Sequence, residues 1–315
     1  MENIQVDFLQ KIKDLLPSHI SLVDELSELL NLSNDSVYRR IRGETALSLE
    51  EAFKIAEKYK ISFDTFLNQK SQIQVVFEYD PIGTENQLVA YLNMILTDLQ
   101  LLKEKKGYLI YSATDLPIFY NFTHSELTAF KLYSWIRYTN HVEMPSKFEY
   151  DIIPKELINL CKQIYHAYQV IKTSEIWTDY TIDSTLRQIE YYYDLGLFAS
   201  SKDAQLIISQ LQETVQIIQK QASDQQSDFE LYQSEVTLDN NCILSNIQGV
   251  RKVYLRHQNL NVLITQNTHF CEETENDLNT TLGKSMLVSG ISERQRHQFF
   301  QKIYQKCENT IQKLR

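Results

Sequence analysis

Apolar residues in the first 68 positions recur three and four apart in five short bursts, the spacing of amphipathic helices. The first burst puts Phe8, Leu9, Ile12, Leu15 and Leu16 on one face and stops at Pro17. Ser21, with Asp24 as its capping-box partner, opens a second helix over 22–30. Asn31 then stands where a left-handed, helix-ending residue is needed. Ser33 caps a third helix over 34–42, which ends at Gly43. Ser48 and Glu51 form a further capping box, opening a fourth helix with Leu49, Ala52, Phe53 and Ala56 inward. Ser62 opens a short fifth helix over 63–67.

From Ile73 to Tyr79 the apolar period changes to two, which predicts a strand and sets a domain boundary near 69–72. The expected domains are therefore 1–69 and 73–315. In the second, helices are predicted over 86–103, 125–139, 154–172, 182–193, 202–222, 271–282 and 293–314. Strands are predicted over 108–113, 229–238, 242–247, 250–257 and 260–266, the last two joined by a hairpin turn at Gln258-Asn259. The Gln- and Ser-rich stretch 219–228 reads as a solvated connection, with a sub-boundary near 224–228. Ala204, Ile208, Leu211, Val215, Ile218 and Ala222 form a seam that suits either a dimer helix or a helix buried within the domain. The expected fold is mainly α, a five-helix N-terminal domain plus a larger α+β domain with a small antiparallel sheet.

Composition narrows the chemistry. Across 315 residues, 43% are hydrophobic, and only 7 Gly and 5 Pro interrupt them, which favours long helices. The net charge of -10 argues against a general polyanion-coating role, so any contact with nucleic acid has to be local. Cys161, Cys242, Cys271 and Cys307 lie far apart with no CxxC pair, the usage of reduced cytoplasmic thiols. The first 16 residues do not read as a signal peptide, and no membrane span or membrane partner is expected. No phosphate-cradling or nucleophile-elbow motif occurs, so no catalytic residue and no cofactor are assigned. His269, Cys271, Glu272, Glu273 and Glu275 match no common metal-ligand spacing, and no metal is expected. Cys161 with His166, and Cys307 with His297, lack the third group of a nucleophilic site and read as structural thiols. The 19 Tyr and 14 Phe, concentrated after residue 76, suit either a core or a pocket for a small-molecule effector.

The most informative run is Leu26-Ser-Glu-Leu-Leu-Asn-Leu-Ser-Asn-Asp-Ser-Val-Tyr-Arg-Arg-Ile-Arg-Gly43. Two short helices joined this tightly pack Leu26, Leu29 and Leu30 against Val37 and Ile41, leaving the second helix to project. With Val37 inward, steps of about 100° per residue place Asp35, Arg39 and Arg42 nearly opposite, with Ser36 and Tyr38 on the flanks. Arg39 is placed for guanine O6 and N7 or for a phosphate, and Arg40 and Arg42 for phosphates. Ser33 and the first amides of that helix offer a further phosphate site.

These residues resemble the Cro/repressor (XRE-type) helix-turn-helix family over about 8–67. The resemblance implies a lambda-repressor-like domain that binds double-stranded DNA as a homodimer. It implies that Asn34, Asp35 and Arg39 hold base-reading positions, with Ser36, Tyr38 and Arg42 beside the backbone. Ser27 stands in place of the usual Ala, Asn31 in place of Gly, and Val23 where a phosphate-clamping Gln is common. Residues 287–294 with Phe299-Phe300 are similar to the tails of long single-helix-turn-helix regulators from Bacteroidetes-like bacteria, which implies no particular activity. Against DNA binding stands the local charge, 12 acidic against 9 basic residues in the first 70. The sequence therefore points to a DNA-binding transcription regulator with a domain for dimerisation and sensing a small-molecule or protein effector. A protein-interaction scaffold and a C-terminal enzyme domain are the rival classes.

Overall fold

The computed structural model describes residues 4–17, 20–59, 61, 75–138, 145–224, 226–258, 260–290 and 293–314. The chain divides into two compact units, Met1–Val76 and Phe77–Arg315.

Four helices are described in the first unit: α1 (Ile4–Leu15), α2 (Leu22–Leu30), α3 (Asn34–Ile41) and α4 (Leu49–Tyr59). The expected fifth helix, with its Ser62 cap, lies outside the described residues. Helix α3 packs on both α1 and α2, and α2 also packs on α4. Phe8, Leu9, Ile12, Leu26, Val37 and Ile55 close the core between them. The interior of α4 differs from expectation: Ile55 and Ala56 are buried, whereas Leu49 is 85% and Phe53 62% exposed. Leu49 and Phe53 are one turn apart, so the misread face is a rotation of the wheel around Ala56.

The second unit is built on a seven-stranded sheet of order β6-β5-β4-β1-β2-β3-β7. Its strands are β1 (Tyr108–Ser112), β2 (Lys172–Trp177), β3 (Phe229–Gln233), β4 (Cys242–Ile247), β5 (Val250–Arg256), β6 (Val262–Thr265) and β7 (Met286–Leu287). β1, β2 and β3 run parallel. β4, β5 and β6 add antiparallel beyond β1, and β7 pairs antiparallel with β3. The sheet is thus larger than expected and mixed, not small and antiparallel. The difference lies in β2. The expected helix over 154–172 stops at Tyr168, and the chain turns at once into a strand. In Lys-Thr-Ser-Glu-Ile-Trp both faces are covered, with Thr173, Glu175, Ile176 and Trp177 all buried. Such a two-sided strand has no alternating signature, and its Ser and Glu disguise it further.

Helical crossovers from β1 to β2 and from β2 to β3 account for the parallel centre. The helices Ser125–Tyr138 and Lys155–Tyr168 form the first, and Asp183–Asp194 and Ser201–Ser223 the second. A reciprocal capping box between Ser200 and Asp203 starts Ser201–Ser223. Its seam, Ala204 to Ala222, is wholly buried and packs on the helix Glu293–Lys313. That resolves the seam as interior packing. One face of the sheet carries a large aromatic core including Tyr120, Tyr168 and Trp177. On the other face Ile110, Ile176, Leu244 and Val253 meet Cys271 and Leu278 of the helix Thr268–Lys284. Because β1 and β2 precede residues 224–228 and β3 follows them, one sheet spans that stretch. Within the expected strand 73–79, positions 73 and 74 lie outside the described residues. The remainder forms only a single bridge, Glu78 to Ile264.

Candidate nucleic-acid interface

The turn between α2 and α3 is fixed by local hydrogen bonding. Asn31 adopts φ 53° and ψ 50°, a left-handed conformation that Asn tolerates better than most side chains. Its amide donates to Glu28 O, and the Leu32 amide donates to Ser27 O at 3.0 Å, closing the helix end as a Schellman motif. Ser27 also donates its hydroxyl to Leu32 O at 2.8 Å, so the departure from Ala adds a tie across the turn. Ser33 then caps α3, accepting from the Ser36 amide at 3.4 Å and meeting the Ser36 hydroxyl at 3.0 Å.

Val37 is fully buried, and the opposite face of α3 follows from it. Ser33, Asn34, Asp35, Tyr38, Arg39 and Arg42 are exposed, while Ser36 and Arg40 are half-buried. Arg40 behaves differently from its neighbours. Its guanidinium donates to both carboxylate oxygens of Glu51 on α4, at 3.1 and 2.9 Å, and to Ser36 O at 3.2 Å. With side-chain exposures of 15% and 19%, this pair braces α3 against α4. Glu51 also accepts from the Ser48 amide at 2.9 Å, so one carboxylate serves both the brace and the α4 cap. Burial alone would raise its pKa, but the hydrogen bonds from Arg40 and Ser48 outweigh it and hold the carboxyl below the usual range.

Arg39 and Arg42 are each 57% exposed, and both face Glu44. Arg42 grips it with two donors, at 2.8 and 3.2 Å, while Arg39 lies 3.9 Å away. Gly43, at φ 72°, makes this bend; its amide and that of Glu44 close the end of α3 on Arg40 O and Arg39 O. Gln5 of α1 then holds the loop: its amide donates to Arg40 O at 2.7 Å and Thr45 O at 2.8 Å, and its carbonyl accepts from the Leu47 amide at 2.8 Å. Gln5 and Glu44 were not singled out by sequence reasoning, nor was the pairing of Glu51 with Arg40. Only Glu51 carried a signal, as a capping residue. Val23, at the position where a phosphate-clamping Gln is common, is buried and lends α2 no polar contact there.

Two helices at a fixed turn, an exposed guanidinium pair and a capped N-terminus make a surface suited to a groove lined by phosphates. Residues 14–66 match the Helix-turn-helix family model. The matched segment takes in α2, α3 and α4, so the first unit is similar to helix-turn-helix domains. No curated protein and no solved structure matches the chain.

In the second unit, burial pushes the Cys161 thiol well up and the Cys307 thiol to about 12, away from thiolate chemistry. His269 pairs with Glu273 at 3.4 Å, and buried Cys271 contacts the carbonyls of Thr265 and Arg251. Among the described residues no cluster of three or more His, Cys, Asp or Glu is placed to hold a metal ion, and no helix is long and apolar enough to cross a membrane.

Proposed function

We propose that the chain is a sequence-specific transcription regulator that lays α3 in the major groove of double-stranded DNA as part of a homodimer. The observation that carries this reading is the polarity of α3: Val37 is sealed in the core while Asn34, Asp35, Arg39 and Arg42 face outward within the matched segment. In this reading Arg39 contacts a base edge, helped by Asn34 and Asp35. Arg42, Tyr38, Ser36 and the Ser33-capped amides hold phosphates. Arg40, expected from sequence to take a phosphate, instead acts through Glu51 to fix the angle of α3. The unit Phe77–Arg315 serves dimerisation and effector sensing.

Selection of bound fragments from random DNA at defined salt, followed by affinity measurements on the selected site, tests the reading. Arg39→Ala is expected to cost about 1–3 kcal/mol on that site and to relax one of its positions. Equal losses on all sequences would remove the base-reading role, and no enrichment at all would remove the function. A second reading, an interaction module, is favoured by the two exposed apolar side chains of α4, Leu49 and Phe53. It requires protein partners that survive nuclease treatment and are insensitive to Arg39.

A further inference from the structure

At β1 the strand order turns back, with β2 and β3 added on one side and β4, β5 and β6 on the other. A cavity of about 160 Å³ opens there, on the face carrying the aromatic core. Crevices at such switch points are where open α/β sheets bind ligands. The space is comparable to the roughly 150 Å³ in which an engineered protein cavity holds benzene. It suits a guest about one ring in size.

We infer that this cavity binds a ring-sized organic carboxylate bearing a hydroxyl or amino hydrogen, with Lys131 as counter-ion and Asn121 as acceptor. Lys131, on the helix Ser125–Tyr138, is only 7% exposed. Its ammonium donates to Gln188 Oε1 at 2.8 Å, lies 3.5 Å from Thr185 Oγ1 and sits 5.5 Å from the centre of the Trp135 ring. No ion pair to Lys131 is found among the described residues. Desolvation pushes its pKa down to about 8, the signature of a cation taken from water without a counter-charge. A core amine left in this condition is costly, and an incoming anion would relieve it.

Asn121, in the turn Ile118–Phe122, reports the complementary need. It is 3% exposed and its amide nitrogen donates to Ile118 O at 3.3 Å. Its Oδ1 is a buried side-chain oxygen with no hydrogen-bond partner among the described residues. Buried acceptors are rarely left unmet in proteins; both residues line the same cavity, and a turn of the Asn121 side chain brings its closed-off Oδ1 into that space. Tyr111 and Trp135 supply ring faces, and Asp115 on the lining is already matched by Arg256. A cation without a counter-charge and an acceptor without a donor, set in one cavity lined by rings and polar side chains, define a ligand with one anionic end and one donor.

The site belongs to the unit Phe77–Arg315 alone. That its occupancy tunes DNA affinity rests on the reading above, so binding is measured first without DNA, where failure of the site and failure of the regulator reading separate. Full-length protein is titrated calorimetrically with 3- and 4-hydroxybenzoate, with benzoate lacking the donor, and with 4-hydroxybenzyl alcohol lacking the charge. A hydroxybenzoate is expected to saturate one site, and loss of the carboxylate to weaken binding roughly 10- to 100-fold. Lys131→Met, which removes a buried charge but keeps the side-chain length, is expected to melt no lower than wild type and to lose the preference for acid over alcohol. Asn121→Leu is expected to lose the preference for hydroxybenzoate over benzoate. The inference is overturned if no carboxylate saturates the site at millimolar concentration, or if Lys131→Met leaves acid binding unchanged. A Lys131→Met protein that melts lower, with no ligand effect to lose, would assign the amine to packing and equally overturn it.

Discussion

Glu44 sets the electrostatics of the α3 face more than its position in a loop suggests. Its carboxylate lies against both Arg39 and Arg42 at about half exposure, so the two cations proposed to meet DNA are already partly neutralised. Exposed pairs of this kind contribute little to stability, about 0–1 kcal/mol, and yield readily to a competitor. A phosphate is such a competitor, and once it arrives Glu44 becomes a like charge beside the DNA backbone. Glu44→Gln is therefore expected to leave the melting temperature nearly unchanged and to tighten DNA binding several-fold at low salt. Fluorescence anisotropy at two salt concentrations checks this; unchanged or weaker binding would show that Glu44 orients the arginines productively. Arg40→Ala should behave in the opposite way. It strands Glu51 in a half-buried position and is expected to destabilise the first unit by about 1–3 kcal/mol. Any loss of DNA affinity should then track the loss of fold, as circular dichroism of the same samples would reveal.

At the level of elements, α3 depends on a residue far from it in sequence. Gln5 satisfies three backbone groups around the loop that follows α3. At about 0.5–1.5 kcal/mol net per hydrogen bond, Gln5→Ala is expected to cost on the order of 2 kcal/mol and to speed amide exchange at Leu47. Exchange unchanged at Leu47 would show that another group covers that amide. Nothing in the sequence could mark Gln5, because a polar residue on a helix surface looks the same whether or not a loop folds over it. What was legible is what is encoded within a few residues: the Ser33 cap, the left-handed Asn31, the inward Val37 and the strand β4 at Cys242–Ile247. Where the reading failed, tertiary context decided. Leu49 and Phe53 fit an apolar face by spacing, yet Ile55 took the core position. β2 was hidden because its Glu175 is buried, with Tyr120, Tyr168 and Trp177 donating to it, an arrangement no local pattern announces.

Over the whole molecule, that buried carboxyl in the second unit and the Glu51 brace in the first make contributions to pH dependence of opposite sign. Burial, only partly offset by hydrogen bonds from Tyr168, Tyr120 and Trp177, lifts the Glu175 pKa to about 7. The folded state therefore holds this proton more tightly than the unfolded chain, whose carboxyl titrates near 4.5. The stability so gained is complete below about pH 4.5 and disappears as pH rises through about 7. Glu51 is shifted the other way, so its contribution is present above about pH 4.5 and is lost as pH falls through its lowered value. Both tryptophans of the chain, Trp135 and Trp177, lie in Phe77–Arg315, so indole fluorescence follows that unit while helical circular dichroism reports both. Between pH 5 and 8 the fluorescence-detected transition is expected to move downward, by an amount on the order of 3 kcal/mol, and Glu175→Gln should flatten that slope whatever it does to absolute stability. Below pH 4.5 the loss in the first unit should shrink in Glu51→Gln. A Glu175→Gln protein that keeps the wild-type slope would mean the carboxyl is ionised in its cage, held there by the phenol and indole donors against the cost of burial.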